Sequence, residues 1–507
     1  MTLLGAVLDT LLREDFLGLR SRGSVVDGSL RVGLAGHDVA IPVRPDGFQC
    51  DIATAAPELT CDGRRLTELE PVLAVLREAV PGDDLDGFDA FATECRDAQA
   101  TARLQRDNPA TTGPLRHDLL AARLGHPVYP TGLARRGISP ADQLRYAPEY
   151  GPTFPLRWAA VRASSVAAAG TLPDWWPTAA ELGMPADLVP FPVHPLTARH
   201  RLTVADAVHV TPTLSMRTVA VLADPGTHVK LPLPTSTLGL RNRRTIKPGT
   251  LPDGAIIGRL LAAVLAAELR FADRIVLADE QTYAHAGDEL LGYLVRRVPP
   301  GGIPLAALPA PTGTGGLVVD ELGDRVAVVT EYLALLLDFQ VTLLLRYGVA
   351  LESHQQNVSL LPGRPLRLLL KDNDGPRLHP GRLWRGLGDW PPGGDPALLD
   401  DRRIVVDSPG PLIDLFSTIT LHLCAAAIVF TVGGIDRRLV RDLLCAAIER
   451  HPDSRDRRLL VDRTLCADRL PVKAMVTAGT LLSKQRSGAA DVNKCYLHTG
   501  PNYLRSL

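Results

Sequence analysis

The chain has 507 residues, of which 46% are hydrophobic and 22% are charged, and its formal net charge is −1. This length suggests two to four domains with large cores, and the proportions are ordinary for a globular protein. The near-zero charge argues against a dedicated nucleic-acid binder, because such proteins usually carry a strong basic excess.

Residues 1–116 alternate short strand-like runs with amphipathic helices. The run "LRVGLAGHDVAIPV" has β character, and in "LTELEPVLAVLREAV" apolar residues recur at spacings of three and four, as in a core-facing helix. The first residues lack the basic region and cleavage site of a signal peptide. Seven scattered cysteines form no C-x-x-C pair, which is typical of reduced thiols. We expect an N-terminal scaffold domain in a cytoplasmic protein.

Residues 117–317 are richer in Pro, Arg and Thr, and polar loops separate the predicted strands. The runs "TVAVLA", "HVKLPL" and "RIVLA" have β character, and a Gly/Pro-rich connector, "PPGGIPLAALPAPTGTGG", ends the region. Polar loops between strands are where binding residues tend to lie. We expect a second domain here that carries a binding site on its loops.

Two of these loops combine cationic and hydroxyl side chains. Because a guanidinium group binds oxyanions in a bidentate way, such a cluster is typical of a site for a triphosphate or a polycarboxylate. A charged surface is the alternative. Two His-Pro pairs, at His126 and His194, are weaker signals, since a core or turn histidine has the same appearance. The clustered residues are Ser215, Arg217, Thr218, Lys230, Ser236, Thr237, Arg241, Arg243 and Arg244.

Residues 318–507 are mainly helical and hydrophobic by their pattern. Two apolar stretches are long enough to suggest membrane spans, but Asp338 and Arg346 interrupt the first, and His422 lies within the second. Charged side chains are costly in hydrocarbon. We therefore expect both stretches to be buried helices and the protein to have no membrane partner.

The first of these helices leads into the stretch "ESHQQN", and a strand-like run, "RLLLKD", follows with Asp372 at its end. Protein kinases have a similar layout, in which a loop Asn and a later acid hold Mg²⁺. The oxygen atoms of Glu352, Asn357 and Asp372 suit this cation. However, the loop lacks the Asp that kinases use as a base. A carboxylate substrate that attacks a phosphate needs no such base, and a polar loop satisfied by its own hydrogen bonds remains the alternative.

Together these segments resemble the siderophore synthetase family of the IucA/IucC type, the enzymes of NRPS-independent siderophore assembly. "GHPVYPTGLARRG" is similar to the family's G-H-P-x-H-P-x-x-K-x-R-x-G, "VPFPVHP" to P-V-H-P, "TPTLSMRT" to P-T-x-S-x-R-T, and "ESHQQN" to E-x-H-x-Q-N. The final "CYLHTGPNYL" resembles a tail shared with ferric-siderophore reductase-like sequences. The chain departs from the pattern at Tyr129, where the family has His, and at Leu133, where it has Lys.

The resemblance implies an α+β fold shaped like a hand. Its thumb is expected at 1–116, its fingers at 117–317 and a kinase-like helical palm at 318–507, with ATP between fingers and palm. The implied activity is an ATP- and Mg²⁺-dependent ligase that adenylates a carboxylic acid, such as citrate or a related polycarboxylate. An amine or alcohol then takes the acyl group, and AMP and pyrophosphate are released. A homodimer is also implied.

The resemblance assigns roles to individual residues as well. Catalytic roles fall to Arg217, Lys230, Arg241 and His354. ATP would contact His126, Ser215, Arg217, Thr218, Lys230, Asn357 and Asp372. The carboxylate substrate would contact Ser236, Thr237, Arg241, His354 and Gln356. Mg²⁺ would be held by Glu352, Asn357 and Asp372.

Two other functions stay open at the level of sequence. A kinase-like phosphotransferase is suggested by the Asn357 and Asp372 pair, although the loop Asp is missing. A degenerate binding protein for a ferric siderophore or polycarboxylate is compatible with Tyr129 and Leu133. The products formed from ATP separate these possibilities, because a ligase releases AMP and pyrophosphate whereas a phosphotransferase releases ADP.

Overall fold

The protein was analysed as a computed structural model, which describes residues 2–198, 203–204, 208–373, 375–489, 491 and 494–505. Helices and mostly antiparallel sheets alternate along the chain. The α+β class predicted from the sequence is therefore confirmed.

The N-terminal part is a six-stranded antiparallel sheet packed against helices. Two-residue turns such as Asp62-Gly63, with φ of 47° and 80°, join neighbouring strands, and turns of this hand match the twist of a hairpin. The elements are α1 (Leu3–Arg13), β1 (Ser24–Val26), β2 (Ser29–Leu34), β3 (His37–Pro45), β4 (Ile52–Thr54), β5 (Leu59–Cys61), β6 (Arg64–Leu66), α2 (Leu69–Glu78) and α3 (Leu85–Asp107).

The middle part is built around a seven-stranded sheet with the order β7-β12-β13-β14-β17-β16-β9, beside which β8, β10 and β11 form a smaller sheet. Its elements are α4 (Arg116–Leu124), α5 (Pro140–Tyr146), β7 (Phe154–Pro155), β8 (Arg157–Arg162), β9 (Ala167–Ala169), β10 (Leu188–Val193), α6 (Pro195–Ala198), β11 (Thr203–Val204), β12 (His209–Pro212), β13 (Thr218–Val221), β14 (Asp224–Lys230), α7 (Thr250–Ala267), β15 (Ile275–Leu277), β16 (Asp279–His285), β17 (Gly292–Arg297) and β18 (Ile303–Pro304). The strands predicted at "TVAVLA" and "RIVLA" are β13 and β15, and the one predicted at "HVKLPL" overlaps the end of β14 at residues 228–230.

The C-terminal part is mainly helical. Its first helix continues through a π-helical turn, Leu343–Tyr347, and ends at Gly348, whose φ of 65° suits a residue without a Cβ atom. The elements are α8 (Arg325–Thr342), β19 (Val349–Ala350), β20 (Val358–Leu361), β21 (Arg367–Leu370), β22 (Arg377–Leu378), α9 (Pro380–Leu387), α10 (Gly410–Leu415), α11 (Ala427–Val432), α12 (Arg438–Glu449), α13 (Arg455–Arg463), β23 (Arg469–Lys473), α14 (Lys484–Ser487) and β24 (Tyr496–Pro501).

Three helical segments are long and apolar enough to cross a membrane by length and composition. They are Thr250–Ala267, Arg325–Tyr347 and Gly410–Val432, and 50%, 72% and 89% of their most apolar windows are buried inside the fold. The last is continuous because an 11-residue π-helix joins α10 to α11. The second and third segments therefore use most of their apolar surface in packing against the rest of the protein, whereas half of the first is buried in this way.

The first and last elements of the chain share one hydrophobic core, which extends from Leu4 to Leu504. At this junction the buried carboxylate of Glu14 accepts the backbone N–H groups of Val476 (3.0 Å) and Thr477 (2.7 Å). The N-terminal part thus packs directly on the palm. The domain boundaries at 116/117 and 317/318 remain predictions.

Candidate active site

A cavity of about 920 Å³ lies where the loops of the middle sheet meet the loop before β20 and the end of β23. Of the thirteen residues assigned to a site from the sequence, eleven line this cavity: His126, Ser215, Arg217, Lys230, Thr237, Arg241, Glu352, His354, Gln356, Asn357 and Asp372. Thr218 and Ser236 do not line it. Thr218 is buried at the start of β13, and Ser236 forms an isolated bridge with Arg243.

The centre of the cavity holds a short ion pair between its two halves. Lys230 is the last residue of β14, and its Nζ lies 2.6 Å from Oδ1 of Asp372, which follows β21 by two positions. Arg296 lies 3.3 Å from the same oxygen. Burial alone would raise the pKa of Asp372, but Lys230, Arg296 and Arg217 lower it well below its ordinary value. The side chain is therefore a stable carboxylate.

The backbone around Asp372 adopts a conformation that favours glycine. Its φ is 69°, and left-handed non-glycine residues are concentrated at functional sites. Glu280 fixes this conformation, because Oε1 accepts the N–H of Asp372 at 2.9 Å and Oε2 accepts that of Asn373 at 3.2 Å. Glu280 is itself paired with Arg296. A buried network thus holds the carboxylate of Asp372 toward the cavity.

The loop between β19 and β20 presents the other predicted palm residues. Its backbone turns because the N–H of Asn357 donates to the carbonyl of His354 at 2.8 Å, and Asn357 Nδ2 donates to the carbonyl of Glu352 at 3.1 Å. The N–H of Gln356 donates to Nδ1 of His354 at 3.3 Å. Burial lowers the pKa of His354 to about 4, so the neutral ring carries its proton on Nε2 as a hydrogen-bond donor.

His126, which follows α4 in the chain and also lines the cavity, has the same arrangement. Its Nδ1 accepts the N–H of Val128 at 3.3 Å. Burial, together with the nearby His354, lowers the pKa of His126 to about 3. It is therefore neutral near pH 7, and its Nε2 is also a donor.

The structure shows what replaces the two family residues that the sequence lacks. The hydroxyl of Tyr129 donates to Glu94 at 3.2 Å, and Thr131 and Thr480 donate to the same carboxylate at 3.1 and 2.8 Å. Tyr129 thus ties its loop to α3 and to the palm instead of lining the cavity. Leu133 packs against Gly125, at which a Cβ would lie 3.3 Å from the leucine side chain.

Arginines form one cationic wall of the cavity, and the protein positions them through carbonyl and hydroxyl groups. Arg217 donates to the carbonyl of Thr245 at 2.9 Å, and Arg244 donates to the hydroxyl and carbonyl of Thr237. Arg241 donates to the carbonyl of Ala478 at 3.3 Å. Burial and the neighbouring Arg217 lower the pKa of Arg244 to about 9. This wall is arranged to receive an anion.

Three lysines from the C-terminal part, Lys473, Lys484 and Lys494, line the cavity and were not identified from the sequence. Lys494 Nζ lies 3.1 Å from Glu352 and 3.2 Å from Asp491. Lys473 ends β23 and is buried, and among the described residues no carboxylate is within ion-pair distance of its Nζ. Burial, with Lys494 nearby, lowers its pKa. Lys494 directly precedes the stretch "CYLHTGPNYL", and Lys473 and Lys484 belong to no motif recognised in the sequence.

The three predicted Mg²⁺ ligands fit the chemistry of that ion. Glu352, Asn357 and Asp372 are three of the nine residues that line a small space of about 10 Å³, which is close to the volume that one water-sized particle needs. All three offer oxygen atoms, the donors that Mg²⁺ prefers. Lys494 and Lys230 hold the two carboxylates. Burial would raise the pKa of Glu352, but Lys494 and Lys473 lower it, so both carboxylates are ionised.

Comparison with known families gives two matches that together span most of the middle and C-terminal parts. The model of the IucA / IucC family matches residues 120–311. The model described as ferric iron reductase FhuF-like transporter matches residues 327–487. The stretch "CYLHTGPNYL" lies beyond the second match.

Individual relatives agree with these matches. The uncharacterized protein y4xN of Sinorhizobium fredii is 26% identical over 350 residues, which are 56% of this chain, and the match spans about half (55%) of that relative's length. The crystal structure of petrobactin biosynthesis protein AsbB from Bacillus anthracis superposes with a TM-score of 0.80 and 17% identity over 99% of this chain and 95% of that one. ATP-bound aerobactin synthetase IucA from Klebsiella pneumoniae superposes with a TM-score of 0.73 and 15% identity over 100% of both chains. The fold is that of these synthetases.

Proposed function

We propose that this chain, which belongs to the IucA/IucC-type siderophore synthetase family, is an ATP-dependent, AMP-forming ligase. It activates one carboxyl group of citrate or a related polycarboxylate as an acyl adenylate and transfers the acyl group to an amine or an alcohol. The observation that supports this most directly is the convergence of Arg217, Lys230 and Asp372 on one cavity. The similarity of the fold to that of ATP-bound IucA agrees with it.

The charge of the cavity suits a nucleotide and a polycarboxylate together. Eleven lysines and arginines line it against six acids, so the wall carries a cationic excess in a chain that is nearly neutral. The cations are Arg135, Arg217, Lys230, Arg241, Arg243, Arg244, Lys247, Arg403, Lys473, Lys484 and Lys494, and the acids are Glu280, Glu289, Glu352, Asp372, Asp401 and Asp491. This excess of positive charge offsets the repulsion between a bound nucleotide and a bound polycarboxylate.

The residues of the chain supply orientation and charge stabilisation. Arg217 and Lys230 neutralise the charge that develops when a carboxylate approaches the α-phosphate, a task performed by preorganised cationic donors. Because the nucleophile is already ionised, the missing loop Asp is no obstacle. Arg241 and the neutral His354 are placed to donate hydrogen bonds to the carboxylates of the organic acid. Mg²⁺, held by the palm acids, would neutralise phosphate oxygens.

The decisive experiment identifies what becomes of ATP. The purified protein is incubated with ATP, Mg²⁺ and a panel of carboxylic acids, with hydroxylamine as a surrogate amine, and nucleotides, pyrophosphate and hydroxamate are measured. The proposal requires AMP, pyrophosphate and hydroxamate in equal amounts with at least one acid. ADP would instead indicate a phosphotransferase. Tight binding of a polycarboxylate without turnover would indicate a degenerate binding protein.

The remaining properties of the chain follow from the same proposal. We expect a cytoplasmic homodimer whose partners are small molecules, with no nucleic-acid or membrane partner. Sedimentation analysis of the purified protein tests the dimer, and a monomer across micromolar concentrations would contradict it.

A further inference from the structure

A second group of reactive side chains lies in the N-terminal sheet, outside the active-site cavity. Donor atoms of His37, Cys61 and Asp62 all lie within 4.8 Å of one another, and none of these residues lines the cavity. Among the residues that the structure describes, no other group of three His, Cys, Asp or Glu side chains meets this criterion. The proposed function gives this cluster no role.

The pairing of β3 with β5 brings these residues together. Val39 is paired with Cys61, and His37 precedes Val39 by two positions, so its side chain lies on the same face of the sheet. Asp62 occupies the first position of the turn that follows, with φ of 47°. Its Oδ1 accepts the N–H of Asp38 at 2.9 Å, and this hydrogen bond fixes the carboxylate over the end of the strand.

The histidine ring lies between two carboxylates. Nδ1 is 2.6 Å from Oδ2 of Asp62, and Nε2 is 3.1 Å from Oε2 of Glu78, the last residue of α2. The thiol of Cys61 lies 4.0 Å from the same Oδ2. Proteins orient a metal-binding histidine by a hydrogen bond from one ring nitrogen to a carboxylate, which leaves the other nitrogen to face the metal. Here Glu78 would accept the hydrogen bond from Nε2, and Nδ1 would face the metal beside Asp62 and Cys61.

We propose that Nδ1 of His37, Sγ of Cys61 and Oδ2 of Asp62 bind a divalent cation of the Zn²⁺ class, with Glu78 orienting the imidazole. Nitrogen, sulfur and oxygen donors together favour Zn²⁺ or Co²⁺ over Mg²⁺. On binding, the thiol loses its proton to solvent, as metal-bound cysteines do. Because the cluster is partly exposed, water completes the coordination.

The required movement is small. Tetrahedral bonds of about 2.0–2.3 Å place neighbouring donors about 3.3–3.8 Å apart. Nδ1 of His37 and Oδ2 of Asp62, now 2.6 Å apart, would separate by less than about 1 Å. The thiol would move a few tenths of an ångström closer to Oδ2, from 4.0 Å, and at most about 1.5 Å closer to Nδ1, since the donor atoms lie within 4.8 Å of one another. Side-chain rotation at the exposed end of the sheet accommodates both changes without altering the strand register.

The test uses Co²⁺ as a probe, because thiolate ligation produces a near-ultraviolet charge-transfer band that oxygen ligands do not. Full-length protein in excess Mg²⁺ is titrated with Co²⁺ and then with Zn²⁺. We expect a band that Zn²⁺ abolishes and that is missing in Cys61→Ser and His37→Gln. Cys466→Ser, which removes an exposed cysteine elsewhere, keeps it. Glu78→Gln keeps the band but weakens Co²⁺ binding about 10- to 100-fold.

A second measurement needs no variant. In the wild-type protein Zn²⁺ should slow alkylation of Cys61, as located by peptide mass spectrometry, while Cys466 reacts at an unchanged rate. Equal labelling of Cys61 with and without Zn²⁺, or a Co²⁺ band that persists in Cys61→Ser, overturns the proposal. Either result leaves the ligase proposal intact, since the two sites share no residue.

Discussion

Replacing Lys230 by Met tests the electrostatic account of the active site. The substitution keeps the aliphatic stem and removes the ammonium group that lies 2.6 Å from Asp372. A hydrogen bond to a charged group contributes about 1.5–3 kcal/mol. Removing one member of a buried ion pair lowers the stability of a protein by about 3–5 kcal/mol when the other charge is left unpaired. Here Arg296 remains 3.3 Å from the same carboxylate oxygen. We therefore expect the free energy of unfolding to fall by only about 1–2 kcal/mol.

The effect on catalysis should be larger than the effect on stability. Removing one preorganised donor to developing charge typically lowers kcat about 100- to 1,000-fold. We expect a loss of this size for Lys230→Met in pyrophosphate release at saturating ATP, Mg²⁺ and acid. Urea unfolding, measured on the same preparation, gives the change in stability.

Arg382→Met is the matched control. Arg382 pairs with Asp456, and the two side chains are 8% and 28% exposed, against 7% and 28% for Lys230 and Asp372. This pair lies outside the cavity lining. Its loss should lower stability at least as much but leave kcat within about twofold. If Lys230→Met retains wild-type kcat, or if Arg382→Met loses as much activity, the reasoning about charge at the reacting phosphate is refuted.

Three further substitutions probe other parts of the site and fold. Asp372→Asn should raise the Mg²⁺ concentration for half-maximal activity about tenfold, and an unchanged requirement would contradict its role as a ligand. Lys473→Met should raise KM for the acid about tenfold, which is equivalent to about 1.4 kcal/mol of binding free energy. The substitution should not lower the stability of the fold, because it removes a desolvated charge. An unchanged KM would mean that the acid binds elsewhere. Burial lowers the pKa of His194 to about 3. Below about pH 6.5 the unfolded chain therefore protonates this histidine while the folded protein keeps it neutral, so the free energy of unfolding declines as pH falls. His194→Phe should reduce that slope between pH 4 and 6 by about 1.4 kcal/mol per pH unit, and parallel urea-unfolding profiles would argue against this.

The parts of the site that were predictable lie on local features of the chain. The loop "ESHQQN" and the strand end at Asp372 could be located because a helix, a loop and a strand follow one another within a short stretch. The two long apolar helices of the C-terminal part were equally visible, although their π-helical segments were not, since the same residues also suit an ordinary α-helix.

Other features depend on contacts between distant segments. Thr218 follows Arg217 directly at the start of a strand, where successive side chains point to opposite sides, so the two do not both line the cavity. Lys473 ends β23, which pairs with β24, and tertiary packing brings it to the cavity near Glu352. The bond from Tyr129 to Glu94 likewise joins segments that share no motif. Sequence spacing carries no information about such tertiary pairing.

The core shared by the first and last elements has a consequence for synthesis on the ribosome. Glu14 is synthesised 462 residues before its partner Val476, and Thr477 and the cavity lysines Lys473 and Lys494 lie similarly far from it along the chain. The nascent chain must therefore grow by these several hundred residues before α1 meets its permanent neighbours. A chain that stops before Lys473 would therefore lack both the contacts to Glu14 and part of the cavity wall.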